Sequence, residues 1–143
     1  MVDPVSVRAA VSAAGFVIED FVDLPHLPSP MAVWRPLILA STTPAMRIRD
    51  DAADHDRQVD RAWSDLSARN GTLGSSGTVL LSVEGGGSLP WLRARVRDQL
   101  PRASAIGLPE HVNGFVALSL DGNASSGVST EEWETWIFAD PHL

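Results

Sequence analysis

The segment that most constrains the fold is Thr78 to Leu92, TVLLSVEGGGSLPWL. An apolar run of strand length breaks into Gly85, Gly86 and Gly87, after which Ser88 and Pro90 stand as helix-opening residues. A strand that feeds a helix through a glycine turn predicts an α/β architecture. It also puts bare backbone N–H groups where a ligand could approach.

The flanking pattern extends that expectation. Asp3-Pro4 reads as an N-cap followed by proline at the first helical position, with Gly15 as the stop. Phe16 to Val22, aromatic and β-branched, predicts a strand, and the proline-rich Leu24 to Pro30 a stiff connector. Pro36 to Thr42 reads as a buried strand. Asp50 to Arg69 predicts the longest helix, with Ala52, His55, Val59, Ala62, Trp63 and Leu66 on its apolar stripe and Asn70-Gly71 ending it. Val79 to Val83 then reads as a strand, Leu89 to Leu100 as a helix and Phe115 to Leu120 as the last strand. Ser129 and Glu132 have capping-box spacing, ahead of a short terminal helix carrying Trp133, Trp136 and Ile137 on one side. The expected order is α-β-β-α-β-α-β-α in a single domain. It implies a mostly parallel sheet of three to four strands with helices on both faces.

Composition narrows the chemistry. The chain has 143 residues, 44% of them hydrophobic and 20% charged, as a packed domain requires. There is no Lys, Tyr or Cys, and all 11 cationic side chains are Arg, the usage of a GC-rich bacterial genome. Schiff-base and pyridoxal catalysis, a P-loop lysine, a thiol nucleophile and a tyrosine acid are thereby excluded. A net charge of −7 has the wrong sign for sequence-independent attraction to nucleic acid. No apolar run approaches the roughly 20 residues that span a bilayer. The opening residues lack a basic region and a continuous apolar core, so a cytoplasmic chain without a membrane partner is expected.

In a parallel sheet the strand exits share one edge. Thr42, the run Glu84, Gly85, Gly86, Gly87 and Ser88, and the pair Asp121 and Asn123 would then surround one crevice. Glu84 and Asp121 could hold Mg²⁺, and the amides of Gly86 to Ser88 a phosphate. The same residues also suit plain turns, and neither a G-x-G-x-x-G fingerprint nor a G-K-[ST] P-loop is present. Glu84 with Asp121-Gly122-Asn123 faintly resembles the metal-binding loops of the TOPRIM domain. The second acidic position is Asn123, however, and the intervening segment has room for one helix only.

Three further groups carry possible chemistry. Asp51 and His55 lie one helical turn apart and could share a divalent ion, or simply belong to an acidic first turn. Arg93 and Arg97 would share a helical face, free to meet phosphates or an acidic partner, or merely solvated. Trp133 and Trp136 would cap the core or form a binding hot spot. With no complete catalytic set, the chain reads as a small acidic accessory or regulatory protein of immunity type, acting by binding another protein. The alternative is an enzyme or binder for a phosphorylated or nucleotide-like small molecule at the strand-end crevice. No cofactor follows from the residues.

Overall fold

The computed structural model describes residues 2–38 and 42–140. In chain order the elements are α1 (Pro4–Ala13), β1 (Phe16–Val22), α2 (Pro30–Ile38), β2 (Met46–Arg49) and α3 (His55–Asn70). There follow β3 (Thr78–Val83), β4 (Trp91–Val96), a 3₁₀ turn (Ala103–Ala105), β5 (Gly114–Leu118), β6 (Ser125–Thr130) and β7 (Glu134–Asp140). The strands make one seven-stranded sheet in the order β1-β4-β3-β5-β6-β7-β2. Every neighbouring pair is antiparallel. The architecture is therefore α+β, and the expected mostly parallel α/β sheet is overturned.

The source of that error is the segment after the glycines. Leu89, Leu92, Val96 and Leu100 fit a helical stripe, but Leu92, Ala94 and Val96 also alternate strictly with Arg93, Arg95 and Arg97. The alternation wins, because β4 pairs with both β1 and β3 and its backbone groups are satisfied on two sides. With a strand in place of a crossover helix, β3 and β4 are joined as an antiparallel hairpin. The expected terminal helix fails similarly. Thr135 and Ile137 point to one side of the sheet, while Trp136 and Phe138 lie on the other, in β7. The expected strand at Pro36 to Thr42 is in its first part the end of α2. Pro30 occupies that helix's first position, and Ser29 Oγ accepts from the Ala32 N–H at 3.2 Å. Of the remainder of that expected strand, 39–41 lie outside the described residues and Thr42 stands in a bend. β2 and β6, in segments where no strand was expected, complete the difference.

The caps read from sequence hold at both ends of α1 and at the end of α3. Asp3 accepts from the Val5 N–H at 2.9 Å, and Gly15 and Gly71 take left-handed conformations after their helices.

The sheet is the middle layer. On one face α1, α3 and the 3₁₀ turn bury Val11, Phe16, Val59, Trp63, Leu81, Leu92, Phe115 and Ile137. On the other, α2 lays Val33 and Trp34 over Leu80, Trp91, Val116 and Leu118. Two indoles fix this second layer: Trp34 Nε1 donates to Ser82 Oγ at 2.9 Å, and Trp91 Nε1 to the Pro28 carbonyl at 2.8 Å. Both edges are guarded. β1 carries a register shift between Ile18 and Asp20, and β2 is four residues long with two arginines. Among the described residues no helix is long and apolar enough to cross a membrane.

Candidate functional site

Antiparallel pairing decides what the sheet can bring together. The exit of β3, the start of β5 and the β6–β7 hairpin share one end, since Val83 faces Phe115 and Gly114 faces Ser129. Glu84 lies there, its N–H donating to the Gly114 carbonyl at 2.9 Å. Asp121 follows the far end of β5, so the length of that strand separates the two carboxylates. The single crevice expected from a parallel sheet does not form. Asp121 instead holds a turn: Ser119 Oγ donates to its Oδ1 at 2.6 Å, and the Asn123 N–H at 3.0 Å. The Ser119 bond holds the Asp121 carboxyl below the usual carboxylate range, with help from Asn123. Thr42 sits elsewhere again, beside Val33, Val116 and Phe138 between α2 and the sheet.

The glycine run has a different role from the one expected. No helix follows it, so it has no helix N-terminus to offer an anion. The Gly86 N–H bonds the Val83 carbonyl at 2.8 Å, and the Gly86 carbonyl accepts from the Leu89 N–H at 3.0 Å. Gly85, at φ +89°, allows the His111 imidazole to pack against the chain; a Cβ there would lie 2.6 Å from His111 Cε1. Gly85→Ala is expected to lose about 1–3 kcal/mol of stability, combining left-handed strain with displacement of that ring. A urea midpoint unchanged from wild type would contradict this placement.

Around His111 opens a cleft of about 440 Å³, lined by Asp3, Ser6, Gly85, Ser88, Glu110 and His111, with Val2, Leu108 and Pro109 as its apolar wall. Among the described residues no arginine lines it. Glu110 holds a left-handed backbone, φ +68°, at its rim. The half-buried Glu84 adjoins this cleft and also lines a second recess of about 240 Å³ with Trp34, Asn113, Ser129 and Glu131. Burial pushes the Glu84 carboxyl up, His111 draws it partly back, and Glu131 raises it further. An imidazole and a carboxyl of raised pKa could exchange protons with a bound molecule. Among the described residues, however, no group of three or more His, Asp or Glu is arranged to hold a metal ion.

The raised pKa has a stability consequence of definite sign. The folded chain holds the Glu84 proton more tightly than the unfolded chain, so stability falls as pH rises from the unfolded value through the folded one. Glu84→Gln removes that cost. The Tm of E84Q should exceed wild type at neutral pH, with the gap closing as pH falls below the ordinary glutamate range. Parallel pH–Tm curves for the two chains would refute the assignment.

Arg93 of β4, and Arg97 and Arg102 beyond its exit, are engaged at home. Arg93 Nε meets Glu19 Oε1 at 2.8 Å, and Arg97 Nε meets Asp98 Oδ1 at 3.0 Å. Arg97 and Arg102 also donate to the Ser12 and Ala13 carbonyls at the C-terminus of α1, where positive charge complements the helix dipole. Arg93 and Arg97 follow the two-residue rhythm of the strand and its exit rather than the expected helical face. His55 is likewise structural. Its Nδ1 lies 2.8 Å from Asp56 Oδ1 and its Nε2 2.9 Å from Thr135 Oγ1, while Asp51 pairs with Arg49.

Trp133 and Trp136 part company. Trp136 lies on the sheet face with Arg47 Cζ 4.9 Å from its ring centroid, and its Nε1 donates to Glu134 Oε1 at 2.6 Å. Trp133 stands at the tip of the β6–β7 hairpin, 75% exposed. The hairpin is closed by the Glu131 N–H to the Glu134 carbonyl at 2.9 Å and tied to the β2 exit by the Asp50 N–H to the Trp133 carbonyl at 3.0 Å. Ser129, expected to cap a helix with Glu132, instead donates its hydroxyl to Glu131 Oε2. Sequence reasoning missed His111, Glu131, Arg47 and Arg49 as members of this end of the molecule. The available signal was the alternation in Met46-Arg47-Ile48-Arg49, which marks an edge strand. No protein-family model, curated protein or solved structure matches the chain.

Proposed function

We propose that this chain is a cytoplasmic accessory or regulatory module of immunity type that acts by binding another protein through the β6–β7 hairpin. The observation that carries the reading is Trp133: a large indole 75% exposed at a braced hairpin tip, in a chain that buries Trp34, Trp63 and Trp91. An exposed tryptophan on a rigid turn supplies much contact area for little loss of entropy, as interface hot spots do. Capture from a lysate of the native host, followed by size-exclusion chromatography, tests it. A species retained by wild type and lost with Trp133→Ala supports the reading, while identical elution profiles for the two chains count against it.

A second reading, an enzyme or binder for a small phosphorylated or nucleotide-like molecule, draws on the pairing of Glu84 with His111 at the cleft. The absence of arginine from the lining leaves phosphate without a counter-charge there, which is why it ranks second. Thermal-shift screening with nucleotides and sugar phosphates tests it; a shift that disappears in His111→Ala would reverse the ranking.

A further inference from the structure

We propose that the recess between Trp133 and Trp136 receives a cationic side chain, arginine or lysine, from a basic segment of the partner. This rests on the protein-binding reading above and specifies its chemistry. The recess, about 530 Å³, is lined by Arg49, Glu131, Glu132, Trp133, Glu134 and Trp136. Two indoles and three carboxylates are what a desolvating cation needs: ring faces for its apolar stem and quadrupole attraction, and counter-charges for its head. Trp136 already holds one guanidinium, that of Arg47, which also lies 3.9 Å from Glu134 Oε1. Among the described residues no cation stacks on Trp133.

Charge selects the partner. Asp51, paired with Arg49, and Asp50, whose N–H bonds the Trp133 carbonyl, add two carboxylates to the three glutamates, against the two guanidiniums of Arg47 and Arg49, on a chain of net charge −7. A basic surface is complementary to this; a nucleic acid is repelled. A second copy of the chain is a poor occupant too. Two β2 edges paired antiparallel on a twofold axis would set arginines of the two copies opposite one another, because opposed residues share a face.

The test uses the full chain and a labelled, unstructured peptide rich in Arg and Lys, beside a counterpart carrying citrulline and acetyl-lysine. The cationic peptide should bind at least about tenfold more tightly than the neutral one, and Trp133→Ala should weaken it about tenfold. The double variant E131Q/E132Q should weaken it several-fold, as should raising NaCl from about 50 to about 500 mM. No binding of the cationic peptide, equal binding of the neutral one, or full affinity in Trp133→Ala would overturn the inference. The last result would mean attraction to net charge alone. Trp133-dependent capture of a host protein alongside a silent cationic peptide would overturn only this inference. Failure of the wild-type chain to capture any host protein in a Trp133-dependent way would overturn the parent reading instead.

Discussion

Trp63→Ala is expected to lower the unfolding free energy by about 3–5 kcal/mol, the largest stability effect of any single truncation proposed for this chain. Trp63 is fully buried in the core between α3 and the sheet. Its ring meets Phe16 of β1 and Phe115 of β5 edge-on, with centroids 6.2 and 5.2 Å away. Its Nε1 donates to Ser126 Oγ at 2.9 Å, and Ser67 Oγ donates to the same oxygen at 2.8 Å. Truncation therefore leaves a cavity at the centre of the sheet and weakens the hold of α3 on β6. β6 depends on that hold, since SSGVST has one large apolar residue, Val128. Since domains of this size are stabilised by about 5–15 kcal/mol, W63A should lose between about a fifth and all of that margin. Trp63→Phe keeps most of the volume but abandons the hydrogen bond, and should fall between the two chains. Equilibrium urea denaturation measures all three.

Trp133→Ala is expected to show the opposite profile. Its stability should stay within about 0.5 kcal/mol of wild type, because the side chain is 75% exposed and its backbone carbonyl bond to the Asp50 N–H survives truncation. Its affinity for the partner should fall by about 2–4 kcal/mol, roughly 30-fold or more, the range of an interface hot spot. A variant that unfolds would make Trp133 a structural residue after all. One that folds and binds as wild type would remove the hairpin tip from the interface.

The parts of this fold legible in the sequence are those written in local chemistry. α1 announces itself by Asp3-Pro4 and Gly15, α3 by its stripe and Gly71, β1 by its aromatic and β-branched residues, and β3 and β5 by near-continuous apolar runs. What was illegible depends on neighbours. β6 is polar and small, and it belongs in the sheet because Gly127 lets the backbone approach Phe115, where a Cβ would come within 2.9 Å of the carbonyl oxygen. β7 is preceded by a capping-box spacing, Ser129 to Glu132, and continues a helical spacing of Trp133, Trp136 and Ile137, yet cross-strand pairing to β6 and β2 overrides both. β4 satisfies two periods at once, and the choice between them settles the direction of every central strand. The candidate site inherits that ambiguity. Glu84 was legible as the end of a strand, but its neighbours His111 and Glu131 come from connections whose positions only the antiparallel register supplies.

Oxidative footprinting of the tryptophans, in the free chain and in the chain bound to its captured partner, tests the central claim most directly. Trp133 should react fastest in the free chain, Trp136 more slowly, and Trp34, Trp63 and Trp91 scarcely at all. On complex formation Trp133 should become as protected as the buried three. A Trp133 that is already protected when alone, or one that reacts undiminished within a formed complex, would contradict the account.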